Sequence, residues 1–403
     1  MLFYAILYPY IYAYNETLMI NEVRSLLQEE EINTGRQWEL DLARAIPVLC
    51  LPIIHCIIEC CTDEMLESGI PYLFDTVIGG PFSAPMYLFA MGISMDYTRR
   101  RTPGKFALRG IDLVIISYVL NICRFLIPYL AGYAISRDRE QFIVPLVYRV
   151  LGNDVLLFAG LAYLVTALFR KLELSPAKMM AIAVAASFIG MLTTGVDTGV
   201  PILNILLGSF IGTEDDSGLL ISNFPLLIWL IVPVSGLCFG KLLRHIRKED
   251  KRKFYAIVSV PALAIAAIYM CTGIEHTWGM FGEGQNCYYH MMPWDMLECI
   301  LLDIGMLGVW YFVTEIITPH TMSFFTDVSS KITSFYCIHW VLVRTITNVV
   351  LYIKNGTQVL PVWKTLVLSV CIILVTLCLT EIWRNLRLRI TAGRLAWKGK
   401  EIN

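Results

Sequence analysis

The sequence predicts an all-α, polytopic integral membrane protein with about ten transmembrane helices. Hydrophobic residues make up 57% of the 403 residues and charged residues only 16%, whereas soluble domains carry about 25% charged residues. Apolar runs of about 20 residues, the length that crosses a bilayer as a helix, recur along the chain. Basic residues, moreover, are concentrated in alternate loops. These three observations exclude a soluble domain held by a single anchor.

Ten stretches have the length and apolar content of membrane spans. They lie at 40–61, 76–97, 108–134, 143–169, 177–194, 219–240, 254–272, 295–318, 332–353 and 362–383. Residues 1–20 are rich in tyrosine and contain no basic residue, unlike a signal peptide; they form either an interfacial helix or a short extra span. We therefore divide the chain into an N-terminal segment with a cytoplasmic linker at 1–35, a transmembrane domain at 36–385 and a basic tail at 386–403.

The distribution of positive charge predicts the orientation. If the first span runs outward, 24 of the 32 Lys and Arg residues lie in cytoplasmic loops and only four in the opposite loops. Basic loops stay in the cytoplasm during insertion, so we expect a cytoplasmic C-terminus and, by extension, residence in the plasma (inner) membrane. The lipid bilayer is the first predicted partner, and a net charge of −1 gives no indication of nucleic acid.

The twelve cysteines carry little functional information, because most lie in spans, where a thiol acts as a small apolar group. Cys60, Cys61 and Cys287 fall on the predicted outer side, which leaves a disulfide open as an alternative. The stretch "CYYH" at 287–290 lacks partner ligands at zinc spacing, so no metal is expected.

The informative residues are the ionisable ones inside the spans. A charge at the centre of a membrane helix costs about 2.5–3.5 kcal/mol on insertion scales and is tolerated mainly where it faces protein or water. Most of this polar set is predicted to lie at mid-depth or in the outer half of the spans, and should converge on one cavity that opens outward. The set comprises Arg44, His55, Arg124, Arg149, Asp154, His339, Arg344 and Asn348.

Simpler interpretations compete for several of these residues. Arg149 and Asp154 could form a structural ion pair, although five residues is a poor helical spacing. His339 could only hydrogen-bond a neighbouring helix, and Arg44 could snorkel to the cytoplasmic interface. His55 follows Arg44 by eleven residues, which places both on nearly one helix face about 16 Å apart. Because His55 is too short to snorkel far, we interpret it as a residue with a chemical role.

Several motifs resemble those of transmembrane acyltransferases. "RQWELDLARAIPVLCLPIIH" resembles the first-span signature of that superfamily, and "FDTVIGGPFSAPMYLFAMGISMDYTRRRTPGKFALRG" resembles the second span and basic loop of its heparan-alpha-glucosaminide N-acetyltransferase-like branch. "RVLGNDVLLFAGLAYLVTAL", "NFPLLIWLIVPVSGLCFGKLL" and "YYHMMPWDML" follow in the order of that branch. "SSKITSFYCIHWVLV" is similar to a late span shared more widely, including with the acyltransferase-3 family. The resemblance extends over about residues 36–350.

The resemblance implies acyl transfer across the membrane. An acyl group, expected to be acetyl, would pass from cytoplasmic acetyl-CoA, the acyl donor, to a saccharide acceptor such as a glycan or amino sugar at the outer face. The namesake of the branch carries asparagine at the first-span position and uses a histidine further on, whereas this chain has His55 there and no histidine from 56 to 80. The acceptor, the acyl length, O- or N-transfer and a homodimeric state stay open.

Roles for the candidate residues follow from this chemistry. His55 is suited to be the general base, because imidazole has an ordinary pKa of about 6.5. We expect His290 to contact the acceptor or assist catalysis, and Asp75 to orient a histidine or bind the acceptor. The polar spans supply six candidate substrate-binding residues, whose arginines suit phosphates, carboxylates or an oxyanion: Arg44, Arg124, Arg149, Asp154, His339 and Arg344.

A transporter or flippase for an anionic or saccharide substrate is the competing class. Segments broken by proline and glycine, such as "IGGPFSAPM" and "TTGVDTGVPILN", together with arginines at mid-depth, are also typical of anion transporters. The acyl donor distinguishes the two classes, since a transporter would neither bind acetyl-CoA nor lose turnover when only His55 is changed. The basic loop with Lys105, Arg109 and residues 99–101 could hold CoA phosphates, but orientation in the membrane explains it equally well.

Overall fold

The structure, a computed structural model, describes residues 18–98, 102–220, 222–272 and 288–401. These residues are predominantly helical and form no β-strand, only two isolated bridges. The predicted all-α class is therefore confirmed for the described chain. The tyrosine-rich N-terminus up to residue 17, the arginines at 99–101 and most of the loop before His290 lie outside the described residues.

Fourteen helices carry labels here, in chain order. They are α1 (Leu18–Leu26), α2 (Trp38–Cys60), α3 (Ala84–Tyr97), α4 (Pro103–Asn121), α5 (Ile127–Ser136), α6 (Leu146–Leu151), α7 (Val155–Lys171), α8 (Pro176–Leu192), α9 (Ile231–Arg244), α10 (Lys251–Met270), α11 (Pro293–Ile316), α12 (Pro319–Ser330), α13 (Ile332–Arg344) and α14 (Val362–Glu401). Short helical turns lie at Asp63–Leu66, Gly69–Tyr72, Arg139–Phe142, Pro201–Leu207, Leu226–Trp229 and Tyr352–Asn355. Three further stretches are π-helical: Leu73–Ile78, Ile122–Leu126 and Thr345–Leu351.

Each of the ten predicted spans overlaps a helix, but not all of these helices have full membrane length. Within the described ranges, eight helical stretches are long and apolar enough to cross a bilayer. The fifth predicted span corresponds to α8, which has 17 residues. The second is split, because Gly69–Ile78 and α3 are separated by a turn at 79–83. Pro81 lies in that turn and lacks the N–H that a continuous helix needs.

Close helix contacts fix the centre of the bundle. A Cβ atom added to Gly92 of α3 would lie 2.0 Å from the carbonyl oxygen of Pro233, and one added to Gly236 of α9 would lie 2.0 Å from that of Phe89. Glycine is thus required at both positions, since small residues let membrane helices approach backbone to backbone. The main apolar core lies beside this contact, and the aromatic ring of Phe239 is fully buried in it.

Helix α2 lies against α3, α11, α12, α13 and α14. Its buried face carries polar as well as apolar side chains, including Glu39 and Asp41. The three π-helical stretches each carry one polar residue of interest, namely Asp75, Arg124 and Asn348. Wider helical turns of this kind occur frequently at functional sites.

Candidate active site

A cavity of about 640 Å³ lies among α2, α3, α6, α7, α13 and the three π-helical stretches. We call it the His55 cavity. It brings together six of the nine site residues predicted from the sequence: His55, Asp75, Arg124, Arg149, Asp154 and Arg344. Glu59 and Asn348 also line it. Most of the in-span polar residues thus come together from several helices in one cavity.

His55 projects from α2 into this cavity and is held by rings from α13. Its imidazole lies 3.9 Å, centroid to centroid, from the ring of Trp340. It also stacks on His339 at 5.5 Å with 11° between the planes. His339 is fully buried behind it, with Nδ1 3.2 Å from the carbonyl oxygen of Phe335 one turn earlier in the same helix. His339 therefore supports His55 and is not among the residues that line the cavity.

Trp340 also lines the His55 cavity, and it is not among the residues expected there from the sequence. The guanidinium carbons of Arg124 and Arg344 lie 5.1 and 5.0 Å from the centre of its ring, within the range of cation–π attraction. The ring therefore contacts both arginines as well as His55. The sequence offered one indication of this position, since Trp340 directly follows His339 in "IHW". An aromatic residue in a span is, however, usually part of the apolar core.

Arg124, in the π-helical stretch Ile122–Leu126, and Asp154, at the start of α7, form a buried ion pair. Their charged atoms are 3.1 Å apart and both side chains are about 5% exposed. Asp154 also caps α7, since one carboxylate oxygen accepts hydrogen bonds from the backbone N–H groups of Leu156 and Leu157. The alternative of an Arg149–Asp154 ion pair is therefore wrong. Helix α6 ends at Gly152, whose backbone is extended, so Arg149 and Asp154 do not share one continuous helix.

Arg344 is paired with Glu59, whose carboxylate lies 2.5 Å from the guanidinium. Glu59 was also missed, because it lies at the end of the first predicted span, where an acidic residue is ordinarily solvated. Arg149 and Asp75 differ from these pairs. Both are partly buried and line the cavity, and neither side chain has a hydrogen-bond or ion-pair partner among the described residues. Together with Asp63, which also lines the cavity, they remain available to a ligand.

Arg44 lies in a second cavity, of about 860 Å³, which we call the Arg44 cavity. It donates to Asp41 at 2.9 Å and to the hydroxyl of Ser94 at 3.2 Å. Asp41 is fully buried and also accepts from Arg36 at 2.6 Å. Arg44 is thus held in place by a polar network. An arginine that only extends its side chain to the cytoplasmic interface would need no such partners. Three further basic residues line the same cavity: Arg109, Lys331 and Arg387.

His290 is separate from both cavities. Its Nε2 lies 3.1 Å from the carbonyl oxygen of Ser222, and its ring packs against Gly212. Only 8% of the residue is exposed, and burial lowers its pKa. The three predicted catalytic residues are therefore not brought together, because His55 and Asp75 share a cavity that His290 does not line.

Neither cavity contains a ready metal site. Across the described ranges, no group of three or more His, Cys, Asp and Glu residues is arranged to hold a metal ion. Cys60 and Cys61 are buried free thiols, while Cys287 lies outside the described residues.

A bundle of membrane-length helices with a histidine-lined cavity and a neighbouring basic cavity defines an integral membrane protein with a candidate active site inside its helix bundle. Residues 36–273 match the family model for the catalytic domain of heparan-alpha-glucosaminide N-acetyltransferase. The match covers more than half of the chain, which therefore belongs to this family of membrane acetyltransferases. No curated protein and no solved structure gave a match. Because the family match ends at residue 273, the similarity predicted for the late span around His339 stays a prediction.

Proposed function

We propose that this protein transfers an acetyl group from acetyl-CoA, bound in the Arg44 cavity, to a glycan or amino sugar bound in the His55 cavity. The proposal is supported chiefly by helix α2, which contributes a residue to each cavity: Arg44 lines one and His55 lines the other. The two residues lie about 16 Å apart along one helix face. An extended pantetheine arm suits this separation.

The donor site is proposed from its charge. Arg44, Arg109, Lys331 and Arg387 surround the Arg44 cavity, and arginine guanidinium groups bind phosphate oxygens through paired, charge-assisted hydrogen bonds. The phosphates of CoA would lie there, with the thioester directed along α2 toward His55. In the orientation predicted from the basic loops, this side is cytoplasmic and His55 lies toward the outer face of the plasma membrane.

The acceptor site is proposed from the lining of the His55 cavity. Tyr148 and Tyr289 offer aromatic faces, while Arg149 and Asp75 offer charges without protein partners among the described residues. Aromatic surface with a few convergent polar groups is typical of sites that orient a small ligand. An amino sugar fits this set, since its ammonium group would approach Asp75 and its hydroxyl groups the tyrosines.

His55 acts as the general base in this scheme. Its imidazole takes the proton from the acceptor hydroxyl or amine as that atom bonds to the thioester carbon. The carbonyl oxygen becomes negative, and a nearby guanidinium such as Arg149 would stabilise it. The carbon–sulfur bond then breaks, and the departing CoA thiolate takes up the proton from the imidazolium. The products are the acetylated acceptor and CoA.

The test is transfer of radiolabelled acetyl from acetyl-CoA to a panel of amino sugars and oligosaccharides by purified protein in liposomes. We expect His55→Ala to abolish transfer while the variant still binds CoA. His320→Ala is the matched control, because His320 is an exposed histidine that lines neither cavity. Wild-type protein that neither binds nor hydrolyses acetyl-CoA would overturn the proposal, and transport of the same saccharides would then be measured.

A further inference from the structure

The two cavities follow one line through the bundle. Four helices contribute side chains to both of them, namely α2, α3, α7 and α13. On α7, for example, Val155 faces the His55 cavity and Ala159, one turn further on, faces the Arg44 cavity. The cavities therefore lie end to end along these helices.

Tyr87 lies where the two cavities meet. Among the described residues, it is the only one that lines both. One turn before it, Ser83 and Ala84 face the His55 cavity, and one turn after it Met91 faces the Arg44 cavity. The phenol ring is thus the wall shared by the proposed donor and acceptor sites.

The surroundings of Tyr87 keep this wall in position. The side chain packs against the apolar cluster of Val48, Ile332 and Phe335, which joins α2 to α13. Its own helix, α3, is pressed against α9 at Gly92, where even a methyl group would meet the facing backbone. Neither the ring nor the backbone that carries it can therefore retreat without disturbing a packed contact.

We propose that Tyr87 determines which acyl groups the protein accepts, by restricting the donor to short chains. This inference rests on the proposed function. A thioester that approaches His55 from the Arg44 cavity carries its acyl carbons past the phenol ring. Acetyl adds a single methyl group beyond the carbonyl, whereas each further methylene needs space that the ring or the bound acceptor already occupies.

Competition between donors tests the inference. The ratio of kcat/KM for hexanoyl-CoA to that for acetyl-CoA is measured with one acceptor for wild type, Tyr87→Ala and Tyr87→Phe. Pockets discriminate against one unwanted methylene by about tenfold or more, so we expect Tyr87→Ala to raise the ratio by at least that factor. Tyr87→Phe keeps the ring and should leave the ratio within about twofold of wild type.

Trp383→Ala is the matched control, because Trp383 is an aromatic residue that lines only the Arg44 cavity and lies on α14, which contributes no residue to the lining of the His55 cavity. Its removal enlarges the donor site at a helix that does not reach the acceptor site and should change kcat/KM for both donors alike. If Tyr87→Ala folds poorly, Tyr87→Leu keeps an apolar side chain without the ring and should shift the ratio in the same direction. An unchanged ratio in Tyr87→Ala, or in Tyr87→Leu where only that variant still transfers acetyl, overturns the inference alone. Wild-type protein that transfers no acyl group from any donor overturns the proposed function and this inference with it.

Discussion

Asp154→Asn is expected to destabilise the protein by about 3 kcal/mol. The substitution retains a side chain that caps helices well, so the hydrogen bonds to the start of α7 persist. What it removes is the negative charge beside Arg124, 3.1 Å away and about 95% buried. Removing one partner of a buried ion pair costs about 3–5 kcal/mol, because the other charge stays buried without compensation. We expect the lower end, since Arg124 keeps its hydrogen bonds to Asn121.

The assay is reversible unfolding in mixed micelles with increasing SDS, followed by far-UV circular dichroism. Asp138→Asn is the matched control, because Asp138 caps a helical turn in the same way but lies near solvent and has no arginine partner among the described residues. Its expected effect is below about 1 kcal/mol. A double-mutant cycle with Arg124→Met should give a coupling energy of about 2 kcal/mol or more. A loss below about 1 kcal/mol for Asp154→Asn, or strictly additive losses in the cycle, would refute the reasoning.

Four further predictions concern stability, pH dependence and binding. Gly236→Ala should lower the melting temperature markedly, because the added methyl group would meet the backbone of α3. Gly104→Ala is the control, since a methyl group there meets no atom within 4 Å and should leave the melting temperature unchanged. Equal melting temperatures for the two variants would contradict this. Asp303→Leu should raise the free energy of unfolding by about 1–3 kcal/mol, since Asp303 is fully buried in α11 with neither carboxylate oxygen hydrogen-bonded among the described residues, and leucine has a similar size but no polar group to desolvate; a loss of stability on SDS titration would contradict it. Burial lowers the pKa of His290, so below about pH 6.5 the unfolded chain binds a proton more readily than the folded protein does, and the free energy of unfolding falls. His290→Asn should therefore make the melting temperature less dependent on pH between about 7.5 and 5.5. An unchanged slope of melting temperature against pH would contradict this. Arg44→Ala should weaken acetyl-CoA binding by about tenfold to a hundredfold, the contribution of a hydrogen bond to a charged group, and calorimetry that shows unchanged affinity would exclude Arg44 from the donor site.

The apolar periodicity of the sequence was sufficient to locate the helices and to predict that polar residues meet in a cavity. Arg44 and His55 could be related from their spacing alone, because both lie on one regular helix with a fixed rise and rotation. Each is found in a cavity, and the two cavities are neighbours. These properties are local, and sequence spacing determines them.

The pairing of charges could not be predicted in the same way. Asp154 lies nearer in sequence to Arg149, yet it pairs with Arg124 because the chain turns between α6 and α7. Glu59 and Trp340 gain their roles only when α2 and α13 pack side by side. His290 appeared equivalent to His55 as a titratable side chain, but its loop carries it away from the cavity. Such relations depend on tertiary packing, which spacing along the chain does not encode.

The π-helical stretches have a consequence for the phase of the helices that contain them. A π-helical turn contains about one residue more than an α-helical turn, so everything beyond it is rotated by roughly 100° relative to an uninterrupted α-helix. The chain that passes through Arg124 or Asn348 therefore presents one set of side chains to its neighbours before the wide turn and a differently phased set after it. Deleting a single residue within such a stretch would restore a regular helix, yet would turn the remainder of that span to face the wrong neighbours.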